Sequence, residues 1–258
     1  PSARPPHRES PCLESMKTPL VTFALLTGAL VAWLSSNRVD AQVNGTARAR
    51  AAAARVSPSL KRDLKRAGLE FGAPVFIRIH KEERELELWI RQPKKDSFKL
   101  FRTYPIAAMS GKLGPKLREG DRQAPEGFYY VTRSRMKPDS RYHLAFNLGY
   151  PNTYDRAHGR TGSFLMVHGN RVSIGCFAMT DARIEEIYTL CDAALANGQN
   201  FFRVHVFPFR MSEARLARAK GHRWEPFWRN LQEGYRKFEE NKRPPNVTVA
   251  DKRYAFGN

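Results

Sequence analysis

The stretch MVHGNRVSIGCFAMTD (166–181) holds a candidate nucleophile and a candidate base at short spacing. His168 is followed by Gly169, and after a brief loop Gly175 precedes Cys176. A thiol reacts as its thiolate, and a nearby imidazole can take its proton and form an ion pair with it. Gly175 allows a tight turn before the thiol and lets a substrate approach the main chain. Gly169 leaves room beside the base. Backbone N–H groups around Gly175 and Cys176 are candidate donors to an oxyanion, and a helix starting just after the thiol would add its positive end. Together these groups suit acyl transfer through a thioester. An isolated His and Cys would more simply be a turn histidine and a buried thiol. Metal binding is weaker still, because no third ligand stands nearby at zinc spacing and His80, His143, His158 and His205 lie in separate segments. No cofactor is called for.

The surrounding periodicities give the elements that must position this pair. PVFIRIHK (74–81) and ELELWIR (85–91) alternate apolar and polar residues around a charged turn, which predicts a hairpin. SFKLFRTYPIA (97–107), FYYVTRS (128–134), YHLAFNLG (142–149), SFLMVHG (163–169) and FFRVHVFPF (201–209) predict further strands, and the Gly-, Pro- and charge-rich 110–127 predicts a long loop. After Cys176 the period becomes helical. Thr180 or Asp181 can cap, Ile184, Ile187, Tyr188, Cys191, Ala194 and Leu195 share one face, and Asn197-Gly198 can stop the helix. Cys191 is thereby a small core hydrophobe.

Upstream, 42–58 is Ala/Arg-rich and reads as a linker or frayed helix; a short helix then starts at Ser57 or Ser59 and stops at Gly68 or Gly72. Downstream, 213–243 predicts one or two basic amphipathic helices with Trp224, Phe227, Trp228, Leu231, Tyr235 and Phe238 as an apolar stripe. The tail from Pro244 shows no clear pattern.

The 258 residues carry 44 Lys and Arg against 25 Asp and Glu, a net charge of +19 that points to an anionic partner. The N-terminus narrows the choice. From Met16 onward, Lys17, the apolar run Leu20 to Leu34 and Val39-Asp40-Ala41 have the order of a secretory signal, with cleavage before Gln42. An uncleaved membrane anchor is the rival reading. Residues 1–15 are expected to be upstream sequence, which would leave Cys176 and Cys191 as the mature thiols. Export makes nucleic acid an unexpected partner, and anionic envelope polymers or a membrane surface the expected ones.

The stretches EGDRQAPEGFYYV (119–131) and NLGYPNTYDRAHGRTGSFLMVHGNRVSIGCFAMTD (147–181) together resemble the L,D-transpeptidase catalytic (YkuD) domain family. Within it they are most similar to the YafK-like branch, which contains an amidase that releases peptidoglycan-linked lipoprotein. The resemblance implies a mostly β fold with α-helices, a sandwich whose catalytic groove lies at the strand ends. It covers about residues 71–210 as the catalytic domain; with the readings above, the chain divides into 16–41 as signal peptide, 42–70 as linker and short helix, 71–210 as catalytic domain and 211–258 as a basic helical extension. The resemblance also implies Cys176 as nucleophile and His168 as general base and acid, with the Gly169 carbonyl as the nearest partner for the histidine.

The chain departs from the family pattern in one place. Where most members carry Ser-His-Gly-Cys, a hydrophobic residue and Arg, this chain has Ser173-Ile174-Gly175-Cys176-Phe177-Ala178. Arg156, Arg160 and Arg171 are candidates to replace the missing contacts to stem-peptide carboxylates, or are ordinary surface charge. Tyr154 and Asn152 are candidate groove residues. The expected activity is that of a periplasmic cysteine enzyme on peptidoglycan stem peptides, leaning to hydrolytic release of an amide-linked protein such as a lipoprotein. The alternatives are a transpeptidase forming 3-3 cross-links or attaching lipoprotein, and a non-catalytic protein that binds peptidoglycan or a membrane surface through its basic helices.

Overall fold

The computed structural model describes residues 46–257. The expected upstream segment 1–15, the signal segment 16–41 and Cys12 lie outside the described residues. Among the described residues, no helix is long and apolar enough to cross a membrane.

The predicted hairpin forms from β1 (Val75–His80) and β2 (Glu85–Arg91). Its register sets Phe76 opposite Trp89, Arg78 opposite Glu87 and His80 opposite Glu85. Side chains alternate across a strand, so Val75, Ile77 and Ile79 share one face and Phe76, Arg78 and His80 the other. The first face joins the main core with Leu86, Leu88 and Ile90. The second face looks solvent-facing in sequence but is buried. The cross-strand Arg78–Glu87 pair sits there at 2.7 Å, and Arg78 also bonds Glu239. Arg78 lies over the rings of Trp89, Tyr235 and Phe238.

β3 (Phe98–Pro105), β4 (Gly127–Thr132) and β9 (Phe201–Phe207) complete this sheet in the order β3-β2-β1-β9-β4, with β1 and β9 parallel. A second, four-stranded sheet runs β5 (Met136–Lys137), β6 (Ala145–Asn147), β7 (Met166–His168), β8 (Phe177–Ala178).

Helix α1 spans Ala47–Ala67, so the expected linker and short helix form one element. Thr46 caps it by accepting the Ala49 N–H, in place of Ser57 or Ser59, and Gly68 ends it in the left-handed conformation. Pro58 is accommodated inside the helix. Ala49, Ala52, Leu60 and Leu64 enter the main core, and Arg55 pairs with Glu185 at 2.6 Å. After α2 (Thr153–Ala157), helix α3 (Asp181–Ala196) buries all six residues of its predicted apolar face, Cys191 included.

The C-terminal region is only partly helical. α4 (Glu213–Ala217) and α5 (Glu225–Asn241) are followed by a hairpin of β10 (Asn246–Ala250) and β11 (Arg253–Gly257), where the sequence showed no pattern. The reason lies in the turn: Asp251 and Lys252 both adopt positive φ without the usual Asn-Gly signature. Phe227, Trp228, Leu231 and Phe238 are buried. Phe227, Trp228 and Leu231 enter a second core with Phe207, Phe209 and Met211, while Phe238 packs with Phe76 and Trp89, so α5 covers the second face of β1.

Candidate active site

β7 and β8 run parallel, pairing Val167 with Phe177 and His168 with Ala178. Val167 and Phe177 are fully buried on one face. Alternation places Met166 and His168 on the opposite face, and Cys176, one residue before β8, falls beside Met166. The Cys176 Sγ accepts the Met166 N–H at 3.4 Å and donates toward the Phe164 carbonyl at 3.5 Å. The connection is well held. Met179 N–H bonds the His168 carbonyl, Thr180 N–H the Asn170 carbonyl, and Asn170 N–H the Asp181 carboxylate. Ser173 Oγ donates to the Cys176 carbonyl at 2.6 Å.

His168 is buried, and its Nδ1 lies 2.6 Å from the Gly169 carbonyl oxygen. A carbonyl can only accept, so Nδ1 carries the proton and Nε2 keeps its lone pair. The Tyr142 ring packs on the imidazole at 4.7 Å between centroids, tilted by 35°. Gly169 has a different steric role from the one expected. A Cβ there would stand 2.6 Å from the Asp181 carboxylate and 2.7 Å from the Tyr142 carbonyl, so the missing side chain admits those groups.

Gly175 sits at φ 91°, a conformation that favours glycine. Its N–H donates to Ser110 Oγ at 2.7 Å, so it is not a free oxyanion donor as the sequence suggested. The contact also fastens the 110–127 loop to the nucleophile's turn. Farther along that loop, buried Lys81 donates to Glu126 at 2.9 Å and to the Gly114 and Ala124 carbonyls.

Two electrostatic expectations are corrected. Phe177 and Ala178 form strand β8 and α3 begins only at Asp181, so Cys176 does not cap a helix. Thr180 holds the cap position with no side-chain bond. Burial pushes the Cys176 thiol up, opposed by the Met166 N–H and the Lys116 charge. Burial also pushes His168 down, opposed by its bond to the Gly169 carbonyl. Both directions favour a neutral thiol and a neutral imidazole over a resting ion pair.

The candidate substrate residues divide. Arg171 is exposed on the 169–175 connection that leads to Cys176. Arg160 is buried, paired to Asp155 at 2.8 Å and set over the Tyr154 and Phe227 rings, so its charge is already committed. Asn152 caps α2 and donates to the Phe128 carbonyl and the Tyr254 hydroxyl, both at 2.9 Å. Tyr154 is stacked on Tyr254 at 4.2 Å. Arg156, with Asn152 and Tyr154, lines a separate cavity in which neither Cys176 nor His168 takes part. Tyr142, Ser110 and Lys116 carry no local signal, because each reaches the site from a distant segment; the Phe164 carbonyl comes from the predicted strand of His168 itself, and main-chain groups leave no mark in residue type. Among the described residues, no group of three or more His, Cys, Asp or Glu could hold a metal ion.

In the segments that flank the thiol in sequence, Phe164, Val172 and Ile174 are large apolar side chains left 65%, 57% and 74% exposed. Ile174 stands where the family pattern has its second histidine.

The L,D-transpeptidase catalytic domain (YkuD) family model matches residues 74–206. The chain is 48% identical over 183 residues to the putative L,D-transpeptidase YafK of Escherichia coli K12, covering 71% of this chain and 74% of that protein. Solved structures similar to it include the helical cell shape determining protein Pgp2 of Campylobacter jejuni, at 18% identity and TM-score 0.40, covering 74% of this chain and 80% of that one. Another is L,D-transpeptidase 1 of Mycobacterium tuberculosis, at 15% identity and TM-score 0.29, covering 52% and 61%. The chain belongs to the L,D-transpeptidase catalytic domain family of enzymes acting on peptidoglycan.

Proposed function

We propose that this protein is an exported cysteine amidase that cleaves an amide on a peptidoglycan stem peptide through a thioester on Cys176, releasing a linked protein such as a lipoprotein. What supports the reading is that Cys176, one residue before β8, is held by the Met166 N–H of β7, so that alternation sets it on the side of the paired strands that carries His168, with the His168 Nδ1 proton tied to Gly169. That bond leaves Nε2 to accept the thiol proton as Sγ attacks the amide carbonyl carbon. Collapse of the tetrahedral intermediate breaks the C–N bond, and the imidazolium passes its proton to the departing amine. Water, deprotonated by the same Nε2, then attacks the thioester carbonyl, and the thiol regains the proton as it leaves.

Because the resting pair is neutral, His168 acts as a base during attack rather than holding a preformed thiolate. Ile174 in place of the family's histidine removes one polar contact from the acceptor side, and this supports water as the acceptor. The order of residues 16–41 supports export to the periplasm.

The test incubates the full chain and its Cys176→Ala variant with sacculi carrying bound lipoprotein, with products read by mass spectrometry. Freed lipoprotein from the unaltered protein alone is the expected result. New 3-3 cross-links would replace the amidase reading with transpeptidation. Identical products from both proteins would leave a non-catalytic binder.

A further inference from the structure

A second concave site lies away from the thiol. It is a cavity of about 520 Å³ between β4, β9, the 148–156 segment and the β10–β11 hairpin. That volume suits a small ligand or one segment of a polymer. Arg135, Arg156 and Arg203 all line it, and no Asp or Glu does.

Among the described residues, none of the three arginines has a carboxylate partner. Arg135 donates to the Tyr130 carbonyl at 2.6 Å, Arg203 to the Asn246 side-chain oxygen at 2.7 Å, and Arg156 to the Pro151 carbonyl and Thr153 Oγ1. Every acceptor is neutral. Arg78, Arg160 and Arg210, elsewhere in the molecule, are each met by a carboxylate.

The placement of these charges is built in. The Arg135 guanidinium lies 4.6 Å from the Tyr130 ring centroid and Arg203 lies 5.2 Å from that of Phe201. The two rings pack edge to face at 5.5 Å. Arg135, Tyr130, Phe201 and Arg203 thus form a continuous ladder on one wall. Gly149 clears space for it, since a Cβ there would fall 2.1 Å from Arg135 Nη1. Tyr130 and Phe201 remain 48% and 38% exposed. On the inner side, His205 is 1% exposed and neither of its ring nitrogens has a partner.

Unpaired guanidinium forks match carboxylate oxygens in geometry and charge, and partly exposed rings can cover an apolar or sugar-like body. The polymer on which the family acts carries free carboxylates on its stem peptides. We propose that this cavity is a second binding site for peptidoglycan, in which Arg135, Arg156 and Arg203 take the carboxylates of a stem-peptide segment and Tyr130 and Phe201 cover its apolar part. The proposal rests on the family's action on peptidoglycan and is independent of the reaction at Cys176. It gives the enzyme a hold on the polymer that survives each turnover.

Hydrogen–deuterium exchange on the full-length Cys176→Ala protein tests it, with a soluble disaccharide-tetrapeptide as probe. Slower exchange is expected in 128–131 and 246–254, with affinity weakened about tenfold or more in Arg135→Gln/Arg203→Gln. The same probe with amidated carboxylates should give no such protection. If the double variant fails to fold, Arg156→Gln, altered at an exposed side chain, should still weaken binding several-fold.

Protection confined to 164–178 would overturn the second site and leave the catalytic reading standing. Protection of the cavity alone would do the reverse. Equal protection by the amidated probe would refute carboxylate recognition, and equal protection by inorganic phosphate would reassign the site to phosphorylated ligands.

Discussion

Two neighbouring stretches, 147–161 and 164–176, looked equally rich in functional side chains, but the fold uses them in opposite ways. In the first, nearly every polar group is consumed locally. Asp155 accepts from Arg160, from the Tyr129 hydroxyl and from the Asn152 N–H, and Asn152 closes the capping box of α2. In the second, main-chain bonds fix the backbone while the reactive side chains stay uncommitted: the thiol makes only long contacts and His168 bonds through one nitrogen. A residue type becomes a functional candidate when its partners are main-chain groups that aim it. It becomes a structural one when its partners are side chains that neutralise it.

The sharpest way to break this contrast is a pair of substitutions. Cys176→Ala should reduce product release about a thousandfold or more while keeping stability within about 1 kcal/mol. Asp155→Ala leaves Arg160 buried without its carboxylate and should cost about 3–5 kcal/mol in urea unfolding. An inactive Asp155→Ala protein of unchanged stability would reverse the assignment of the two stretches. His168→Gln, which removes the base and keeps the bulk, should lower turnover by about 10²–10⁴ with little change in urea midpoint.

The buried histidines extend the comparison to pH. His168 has a hydrogen-bond partner, whereas no ring nitrogen of His80 or His205 does. Burial holds His80 down to about 3 and His205 well below its ordinary value. In the unfolded chain both protonate near 6.5. As pH falls below that value, the unfolded state binds protons that the native state refuses. Stability is therefore lost as pH drops, by about 1.4 kcal/mol per unit for each histidine, and for His80 the loss continues to about pH 3. His80→Leu should flatten the acid limb of a melting-temperature profile, and an unchanged slope would show that another group governs it.

The thiol gives the next effect. With Cys176 pushed up, the thiolate fraction at neutral pH is below that of a free cysteine. Alkylation by iodoacetamide should be slow at pH 7 and still rising beyond pH 9. A plateau reached below pH 7 would mean a resting thiolate–imidazolium pair and would remove the general-base step.

Much of the fold was legible because alternation and helical period report burial directly. The sheet strands, the face of α3 and the core placement of Cys191 follow from it. The failures share one cause, local signals overruled by tertiary partners. Ser57 or Ser59 was the expected helix start, yet α1 runs through both, with Pro58 inside it, while its apolar residues pack on the main core. The 246–257 hairpin lacks a standard turn dipeptide, and Tyr254 holds it by packing on Tyr154 and Phe128. At the site, the order His–Gly and Gly–Cys was readable because both residues lie in one short stretch. Ser110, Tyr142 and Lys116 were not, since chain distance hides them until the sheets form. The cap at Thr180 or Asp181 was readable, but strand β8 ahead of it was not: three apolar residues, Phe177-Ala178-Met179, carry no period, and only pairing with β7 makes two of them a strand.

The smallest effect concerns Tyr142, which touches the base without sharing its proton. Its ring packs on His168, while Nδ1 is already fixed by Gly169. The stack limits rotation of the imidazole about the one bond that the carbonyl leaves free. Aromatic contacts of this kind contribute about 0.5–1.5 kcal/mol, so Tyr142→Ala should lower kcat roughly two- to tenfold. Tyr142→Phe keeps the ring and should restore the rate, whereas a purely structural role would move stability in Tyr142→Ala and leave kcat alone. If Phe were as slow as Ala, the hydroxyl rather than the ring would be the active part, and Tyr142 would belong with groups that touch substrate. Either result places Tyr142 in the same scheme as the two stretches, as a side chain that aims a reactive residue or as one that reacts.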